Sequence, residues 1–539
     1  MPPLQSPAVA VTEADPESEL DLAVPAAPFA WMQWLDRIAL GLLAIVAVVV
    51  RFWTTSPLWL DEALSVNIAR LPLGEIGEAL RHDGHPPLYY WLLHGWIDLF
   101  GSSDVAVRSL SGLFGVALIP LVWVAGNRIA GRREAWAAVV VLAVNPFAIR
   151  YATETRMYSM VMVLALAAWL LADDALRRPT LPRLVGLGLC TGLALLAHYW
   201  VMWLVAAVGL LLLAKIVRSH RAGDPAGRNR AIRVLGAMAA GGVLFLPWLP
   251  NLAYQSAHTG TPWAGPVRPA TMIVQALEDM AGGKVGESLL LATIFFTLIV
   301  LGICGRALDD RRIELDLTVQ PEARRLVATV GVTLAIAEIV AIGTNSAFAS
   351  RYIAPVFPLL ILLIGMGISR FASGVWFRLV LAAVVAMSLV GISRNVTHDR
   401  VQSRDIVDAV EATAGPDDAI VAYCPDQLGP AVSREMPAAY KQVAYPRFQS
   451  PRFVDWVDYG ERLAEVDPTD FAAELLDRAG NRHIFLVWKG DYITHVGTCE
   501  QIINELTKTR PGSQDLVTEN EDVFENASLR HFPPVAPGG

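Results

Sequence analysis

Eleven apolar runs, each about 20 residues long, dominate the first 395 residues of this 539-residue chain. A helix of about 20 residues crosses the hydrocarbon layer of a bilayer, and a soluble domain has no use for so many of them. Only 17% of the residues are charged, against about 25% in an ordinary soluble domain. The sequence therefore predicts a polytopic α-helical membrane protein and excludes a purely cytosolic enzyme.

The apolar runs divide the chain into three predicted parts. Residues 1–34 are acidic and rich in Pro and Ala, and we expect a disordered cytoplasmic tail without a cleaved signal peptide. Residues 35–395 form the membrane domain, and residues 396–539 have the composition of a soluble α/β domain. The predicted spans are 35–53, 105–127, 134–150, 157–173, 184–199, 200–214, 234–250, 287–304, 326–344, 352–369 and 377–394. In the soluble domain, strands are predicted at 419–424 and 483–488, and helices at 427–436, 471–479 and 500–507.

The distribution of charge predicts the orientation in a cell membrane. Alternate loops contain 19 Lys and Arg residues, which places those loops in the cytoplasm. The N-terminus is then cytoplasmic, and eleven spans carry residues 396–539 to the outside. That last part holds 24 of the 51 acidic and 13 of the 43 basic residues, so its net charge of -11 leaves +3 for the remainder. Neither part has a stripe of basic residues with aromatic residues between them, as is typical of a nucleic-acid-binding protein.

The first external loop, residues 54–104, is too polar for a span and too periodic for an irregular loop. Apolar residues between 64 and 80 predict one amphipathic helix at the membrane interface, and residues 86–100 predict a second. Asp61 and Glu62 lie where the chain leaves the first span. A partly desolvated carboxylate there suits a general base, but an acidic pair at a helix start is more often an N-terminal cap.

A second polar motif in this loop is His85-Pro-Pro-Leu-Tyr-Tyr90. The paired prolines stiffen the backbone before the second helix. They would fix His85 ahead of the helix and Tyr89 in its first turn. An aromatic belt at the membrane surface explains the same residues without any binding function.

Two further motifs place arginines at external boundaries, against the usual charge distribution. Glu154-Thr-Arg-Met-Tyr158 follows Arg150 between two spans, and Arg156 is suited to clamp a phosphate. A local ion pair of Glu154 is the alternative. Arg351 and Tyr352 begin the tenth span, where an arginine can also reach any phospholipid headgroup. His198 lies at another external turn, either near the same cavity or in an aromatic belt.

These motifs, taken in order, resemble the polyprenyl-phosphate-dependent glycosyltransferases of the GT-C superfamily. The resemblance is to the family 39-like group, which includes protein O-mannosyltransferases, aminoarabinose transferases and RgtA/B/C/D-like enzymes. The residues that carry it are Trp-x-Asp-Glu at 59–62, His85-Pro-Pro-Leu-Tyr-Tyr90, Glu154-x-Arg-x-Tyr158 and Arg351-Tyr352. It extends over about residues 35–370 and does not include the soluble domain.

The resemblance implies a membrane enzyme that transfers a sugar from a polyprenyl-phosphate donor. Asp61 would be the catalytic base and Glu62 its helper. The expected donor site consists of His85, Tyr89, Arg150, Glu154, Arg156, Tyr158, His198, Arg351 and Tyr352. Phosphate leaves as a stable anion, so no metal or other cofactor is expected. The sugar, with mannose and arabinose the favoured choices, stays open, as does the acceptor, which can be a glycan, a lipid or a protein.

Two other classes of function remain as alternatives. A lipid or glycolipid transporter would be indicated by inverted repeats and by polar residues at the middle of the membrane, of which Glu338 is one. A protein that only displays the acidic domain would not need the polar first loop. Cys424 and Cys499 are the two cysteines of the soluble domain, and their spacing leaves a disulfide between them open.

Overall fold

The computed structural model describes residues 30–260, 268–283, 286–344, 348–490 and 492–535. The predicted tail at 1–34 lies mostly outside these residues. The chain divides into two units, Met1–Ile45 and Val46–Gly539. Helix α1 (Ala30–Val49) begins in the first unit, and all other elements belong to the second.

The first loop contains three helices where the sequence analysis predicted two. They are α2 (Leu60–Ala69), α3 (Leu73–Asp83) and α4 (Leu88–Phe100). The predicted helix over 64–80 is wrong because Pro72 divides it. Proline disfavours helical geometry at the preceding residue, and here it becomes the N-cap of α3. Gly84 then ends α3 with a φ of 85°, a left-handed conformation that glycine adopts without a steric cost.

Helices account for every predicted span after the first loop. Those up to residue 258 are α5 (Asp104–Ile129), α6 (Arg132–Ala143), α7 (Pro146–Ala152), α8 (Tyr158–Arg177), α9 (Leu181–Ala197), α10 (Val201–Arg221), α11 (Pro225–Gly242) and α12 (Leu249–His258). Those that follow are α13 (Pro269–Met280), α14 (Gly286–Cys304), α15 (Arg324–Thr344), α16 (Phe357–Ser369) and α17 (Gly374–Thr397). A short hairpin of β1 (Gly305–Ala307) and β2 (Ile313–Leu315) connects α14 to α15.

Fewer of these helices are long enough to cross a membrane than the eleven predicted. Within the described residues, seven have sufficient length and apolar character, or eight if α6 and α7 form one span broken by a 56° bend. Asn145 and Pro146 cause the break, because Asn145 caps α7 and Pro146 occupies its first turn. Helices α9 and α16 are apolar but shorter. The chain is therefore a multi-pass, mainly helical membrane protein.

The C-terminal part is an α/β domain built on a five-stranded sheet in the order β4-β3-β5-β7-β6. Its helices and strands are α18 (Ser403–Thr413), β3 (Ala419–Cys424), α19 (Gly429–Glu435), β4 (Lys441–Ala444), α20 (Tyr459–Ala464), α21 (Pro468–Ala479), β5 (His483–Trp488), α22 (Thr498–Thr509), β6 (Gln514–Val517) and β7 (Ser528–Phe532). The two predicted strands correspond residue for residue to β3 and β5. Strands β4, β3 and β5 are parallel, while β7 and β6 are antiparallel to their neighbours.

A disulfide joins Cys424 at the end of β3 to Cys499 in α22. The sequence spacing left the pairing of these two cysteines open, and in the structure they are paired. The bond holds one helical layer of the domain against the sheet.

The C-terminal domain packs on the first loop. Trp59 and Leu60 share an apolar cluster with Val401, Val454 and Tyr459. Arg434 in α19 contacts Asp104 at 2.9 Å. The start of α2 is thus enclosed by residues distant in sequence, which fixes the position of Asp61.

Candidate active site

A cavity of about 790 Å³ lies between the first loop, the turn after α7, the end of α13 and the C-terminal domain. Asp61, Arg150, Glu154 and Arg351 all line it. The structure therefore brings together candidates that lie up to 290 positions apart in the sequence.

Asp61 lies between two arginines. Its Oδ2 atom is 3.5 Å from the Nη1 of Arg351 and 3.9 Å from the Nη2 of Arg156. Its side chain is 20% exposed. The N-cap of α2 is Trp59, whose side chain makes no capping hydrogen bond, and the first backbone N–H of the helix, that of Leu60, donates to Glu525 Oε2 at 2.8 Å. The carboxylate of Asp61 therefore faces the cavity and its two arginines rather than capping the helix.

Arg156 is held by three polar side chains. It donates to Ser65 Oγ at 3.0 Å and to Tyr90 Oη at 3.3 Å. Its Nη2 is 2.8 Å from His85 Nε2. Arginine can only donate, so His85 Nε2 accepts this bond and the ring proton resides on Nδ1. The guanidinium is thereby presented to Asp61 in a fixed orientation.

Asp83 orients His85, and the sequence analysis did not include it. The Asp83 carboxylate lies 2.9 Å from His85 Nδ1 and accepts a hydrogen bond from Tyr90 Oη at 2.8 Å. Burial opposes ionisation, but the hydrogen bonds from His85 and Tyr90 and the charge of Arg156 lower the pKa of Asp83 below its ordinary value. An acid two residues before the motif histidine was the available signal for this role.

Glu62 is fully buried and serves the scaffold of the site. Arg108 donates to both of its oxygens, at 2.7 and 2.6 Å. The backbone N–H of Thr155 donates to it at 2.8 Å, and Arg400 lies 3.9 Å away. Burial opposes ionisation, but the arginine charges and hydrogen bonds keep the pKa of Glu62 below its ordinary value. These contacts hold the loop that carries Arg156, as expected of a positioning residue.

Arg108 and Arg400 were both missed by the sequence analysis. Arg108 lies inside a predicted span, and Arg400 lies beyond the part that carries the resemblance. Arg400 also donates to the backbone oxygen and the hydroxyl of Thr153, at 3.0 and 2.8 Å. A charged residue near the end of an apolar run was the only sequence signal for Arg108.

Arg150 and Glu154 form the ion pair that was the alternative to a binding role. Arg150 Nε donates to Glu154 Oε2 at 3.1 Å. The other oxygen, Oε1, is buried and has no hydrogen-bond partner among the described residues. Burial, which outweighs the charge of Arg150, raises the pKa of Glu154. Both side chains nevertheless line the cavity, so the ion pair and a binding role are compatible.

A group of aromatic rings lies beside His85 and does not itself line the cavity. The His198 ring lies 5.6 Å from the rings of both Tyr158 and Tyr352, and 6.4 Å from that of His85. Tyr352 stacks on Trp200 at 4.6 Å. Burial and neighbouring positive charges lower the pKa of His198 well below its ordinary value. A neutral His198 therefore belongs to the predicted constellation.

Tyr89 lies in the first turn of α4, as predicted, but it does not line the cavity. Its hydroxyl lies 2.8 Å from that of Ser111, which in turn donates to the backbone oxygen of Arg156. The adjacent Tyr90 makes the direct contact with the Arg156 side chain. Tyr89 therefore supports the backbone at Arg156 through Ser111, because its hydroxyl points away from that of Tyr90.

Two other acidic features lie apart from this cavity. Glu338 is buried in α15 and does not line it. Asp309 pairs with Arg312 in the segment between β1 and β2. In the described part of the chain, no group of three or more His, Cys, Asp or Glu side chains could hold a metal ion.

Comparisons with known proteins identify relatives of this architecture. Residues 84–248 match the family model described as dolichyl-phosphate-mannose-protein mannosyltransferase. No curated relative matches significantly. The fold is similar to ArnT from Cupriavidus metallidurans in the apo state, with a TM-score of 0.55 and 13% identity over 93% of this chain and 98% of that one. The same enzyme bound to undecaprenyl phosphate gives a TM-score of 0.54 and 14% identity over 94% and 98%. The family match over residues 84–248 agrees with the resemblance drawn from the motifs, and the structural likeness confirms the fold class predicted from the sequence.

Proposed function

We propose that this chain is a GT-C type glycosyltransferase that transfers mannose or arabinose from a polyprenyl-phosphate donor, a proposal supported by the family match over residues 84–248 and by the shared fold. The acceptor is an extracytoplasmic hydroxyl, and the product belongs to a cell-envelope glycan, glycolipid or glycoprotein. The observation that carries this proposal is the position of Asp61, within 4 Å of Arg156 and Arg351 at the wall of one cavity.

The two arginines supply what a phosphate leaving group needs. Guanidinium groups match phosphate oxygens in charge and geometry. Both arginines are mostly buried, and Arg156 is fixed by His85 and Ser65. A donor of this class is supported by the similar structure of ArnT bound to undecaprenyl phosphate.

The reaction follows as one displacement without a metal. An acceptor oxygen attacks the anomeric carbon while Asp61 takes the hydroxyl proton. The bond from that carbon to the phosphate oxygen breaks, and its electron pair leaves with the polyprenyl phosphate. Arg156 and Arg351 stabilise the developing negative charge. Attack opposite to the leaving group inverts the configuration at the anomeric carbon.

The proposed orientation places this cavity outside the cytoplasm. Basic residues of three predicted cytoplasmic loops, such as Arg177, Lys215 and Arg325, line a second cleft formed by α8, α10 and α15. Their clustering agrees with the charge rule for cytoplasmic loops. The disulfide at Cys424 supports an oxidising compartment for the C-terminal domain.

The decisive variant is Asp61→Asn, assayed for transfer from labelled polyprenyl-phosphate mannose and polyprenyl-phosphate arabinose. We expect transfer to fall by at least about 10²–10⁴-fold, the contribution of a positioned general base. Donor binding, measured by thermal stabilisation, should remain because Arg156 and Arg351 are unchanged. Asp405→Asn, at an exposed position in α18, is the matched control. Substantial transfer by Asp61→Asn would exclude Asp61 as the base.

A further inference from the structure

The edge of the C-terminal sheet that faces the cavity is formed by the carboxyl ends of its parallel strands. Strands β3 and β5 are parallel and end at Cys424 and Trp488. Strand β7 is antiparallel and begins at Ser528, opposite Trp488. The segments that leave β3 and β5 and enter β7 therefore meet at the same edge. Open α/β sheets bind their ligands outside the carboxyl ends of parallel strands.

This carboxyl edge is a wall of the cavity that contains Asp61. Leu428 after β3, Lys489 and Tyr492 after β5, and Phe524 and Asn526 before β7 all line it. Phe524 is 67% exposed, yet its ring lies 5.3 Å from that of Trp59 and faces its edge. Lys489 donates to Asn526. The domain therefore supplies side chains to the reaction cavity in addition to packing on the first loop.

Two polar atoms of residues that line the cavity are buried without a hydrogen-bond partner among the described residues. Trp59 Nε1 can only donate and Glu154 Oε1 can accept, and neither has a hydrogen-bond partner among the described residues. Their side chains are both more than nine-tenths buried. Buried polar groups are nearly always satisfied, so these two atoms favour a ligand that both donates and accepts. Hydroxyl groups do both.

We propose that the carboxyl edge of the C-terminal domain and the first loop form an acceptor subsite for a neutral saccharide. This inference rests on the transferase function proposed above and specifies its acceptor. The exposed ring of Phe524 offers a platform for the apolar face of a sugar. The side-chain amide of Gln275, which also lines the cavity, can bond two neighbouring hydroxyls.

The charges of the lining favour a neutral acceptor. Five acidic side chains line the cavity against three basic ones, and two of those three, Arg150 and Arg351, are close to Glu154 and Asp61. An acceptor with its own phosphates would face an excess of carboxylates. Peptides commonly bind by adding a strand to a sheet, but the lateral strands β4 and β6 run along the sides of the sheet, away from its carboxyl edge.

The test uses the full-length protein with two kinds of probe. Methyl di- and trisaccharides of mannose and arabinose are compared with a Ser- and Thr-rich peptide of similar mass. Binding is measured without donor by saturation-transfer NMR, and transfer is measured with the labelled donors. We expect binding and transfer to at least one saccharide, and neither with the peptide.

Phe524→Ala locates the subsite. We expect the saccharide KM to rise about tenfold, the order of one lost ring contact, while the donor KM stays unchanged. Val496→Ala is the control, because Val496 is 75% exposed in the same domain and does not line the cavity. Equal saccharide KM values for Phe524→Ala and the wild type would overturn the placement of the subsite.

The outcomes separate this inference from the transferase proposal. Transfer to the peptide but to no saccharide would overturn the inference and leave the transferase function intact. Saccharide binding that Phe524→Ala weakens, without transfer from either donor, would retain the subsite and contradict the proposed donors. Absence of saccharide binding together with transfer to a lipid would also overturn the inference.

Discussion

Replacement of Glu62 by glutamine should destabilise the protein, although Glu62 is adjacent to the proposed catalytic base. Its carboxylate is 0% exposed and faces the charges of Arg108 and Arg400. In Glu62→Gln the amide nitrogen would face an Arg108 N–H, so two donors would oppose each other and two buried arginines would lose their counter-ion. Breaking a buried ion pair on one side costs about 3–5 kcal/mol.

The lower free energy of unfolding of Glu62→Gln should appear as faster thermal unfolding. If the Glu62 contacts are lost before the unfolding transition state, the lower limit of 3 kcal/mol corresponds to about a hundredfold higher unfolding rate. The assay is the loss of folded, monodisperse protein with time at a fixed elevated temperature. Glu75→Gln, at an exposed site in α3, should unfold at nearly the wild-type rate. Wild-type kinetics for Glu62→Gln would refute the assignment of Glu62 to the scaffold.

Three further predictions concern pH, positioning and the disulfide. Burial, reinforced by nearby carboxylates, raises the pKa of Glu525 to about 8. The protonated carboxyl therefore makes its full contribution to the free energy of unfolding below about pH 4.5, and this contribution is lost as the pH rises through about 8. Melting temperatures between pH 5.5 and 8.5 should therefore fall less in Glu525→Gln than in the wild type, and equal slopes would contradict this. Asp83→Ala should lower transfer about 10²-fold by releasing His85 and Arg156, and Asp83→Asn should restore part of that loss; equal activity of Asp83→Ala and the wild type would remove Asp83 from the site. Replacing both Cys424 and Cys499 by serine should cost about 4 kcal/mol, because the bond closes a loop with a sequence separation of 75; an unchanged melting temperature would show that the bond does not stabilise the domain.

The sequence predicted the membrane helices and two of the three central strands because the pattern of apolar residues reflects burial. Strands β3 and β5 matched to the residue, since both are buried apolar runs bounded by polar turns. Strands β4, β6 and β7 were not predicted. Strands β4 and β6 lie at the edges of the sheet and are partly exposed, and the central strand β7 is buried but contains Ser528, Arg530 and His531. The division between α2 and α3 was missed because the apolar period continues across Pro72, whereas the backbone does not.

The site was predictable where function requires a charge in an unusual place. Asp61, Arg156 and Arg351 lie at boundaries of apolar runs. The structure places each of the two arginines within 4 Å of the Asp61 carboxylate. Arg108 and Arg400 were missed because their partner Glu62 is distant from both in sequence. Asp83 was missed although its partners His85 and Tyr90 are close to it in sequence. Tyr89 and Tyr90 are adjacent in the sequence, and only the packing of α4 determines which hydroxyl contacts Arg156.

The pairing of Asp61 with both arginines has a consequence for the order of the reaction. Before donor binds, the carboxylate that must accept a proton is occupied by Arg156 and Arg351. A donor phosphate would compete for the same guanidinium groups, because charge-assisted bonds to phosphate are at least as favourable as those to a carboxylate. The arginines would then turn from Asp61 to the leaving group, freeing Asp61 towards the acceptor. Donor binding would thus prepare both the base and the leaving group, while the buried contacts of Glu62 keep the loop in place.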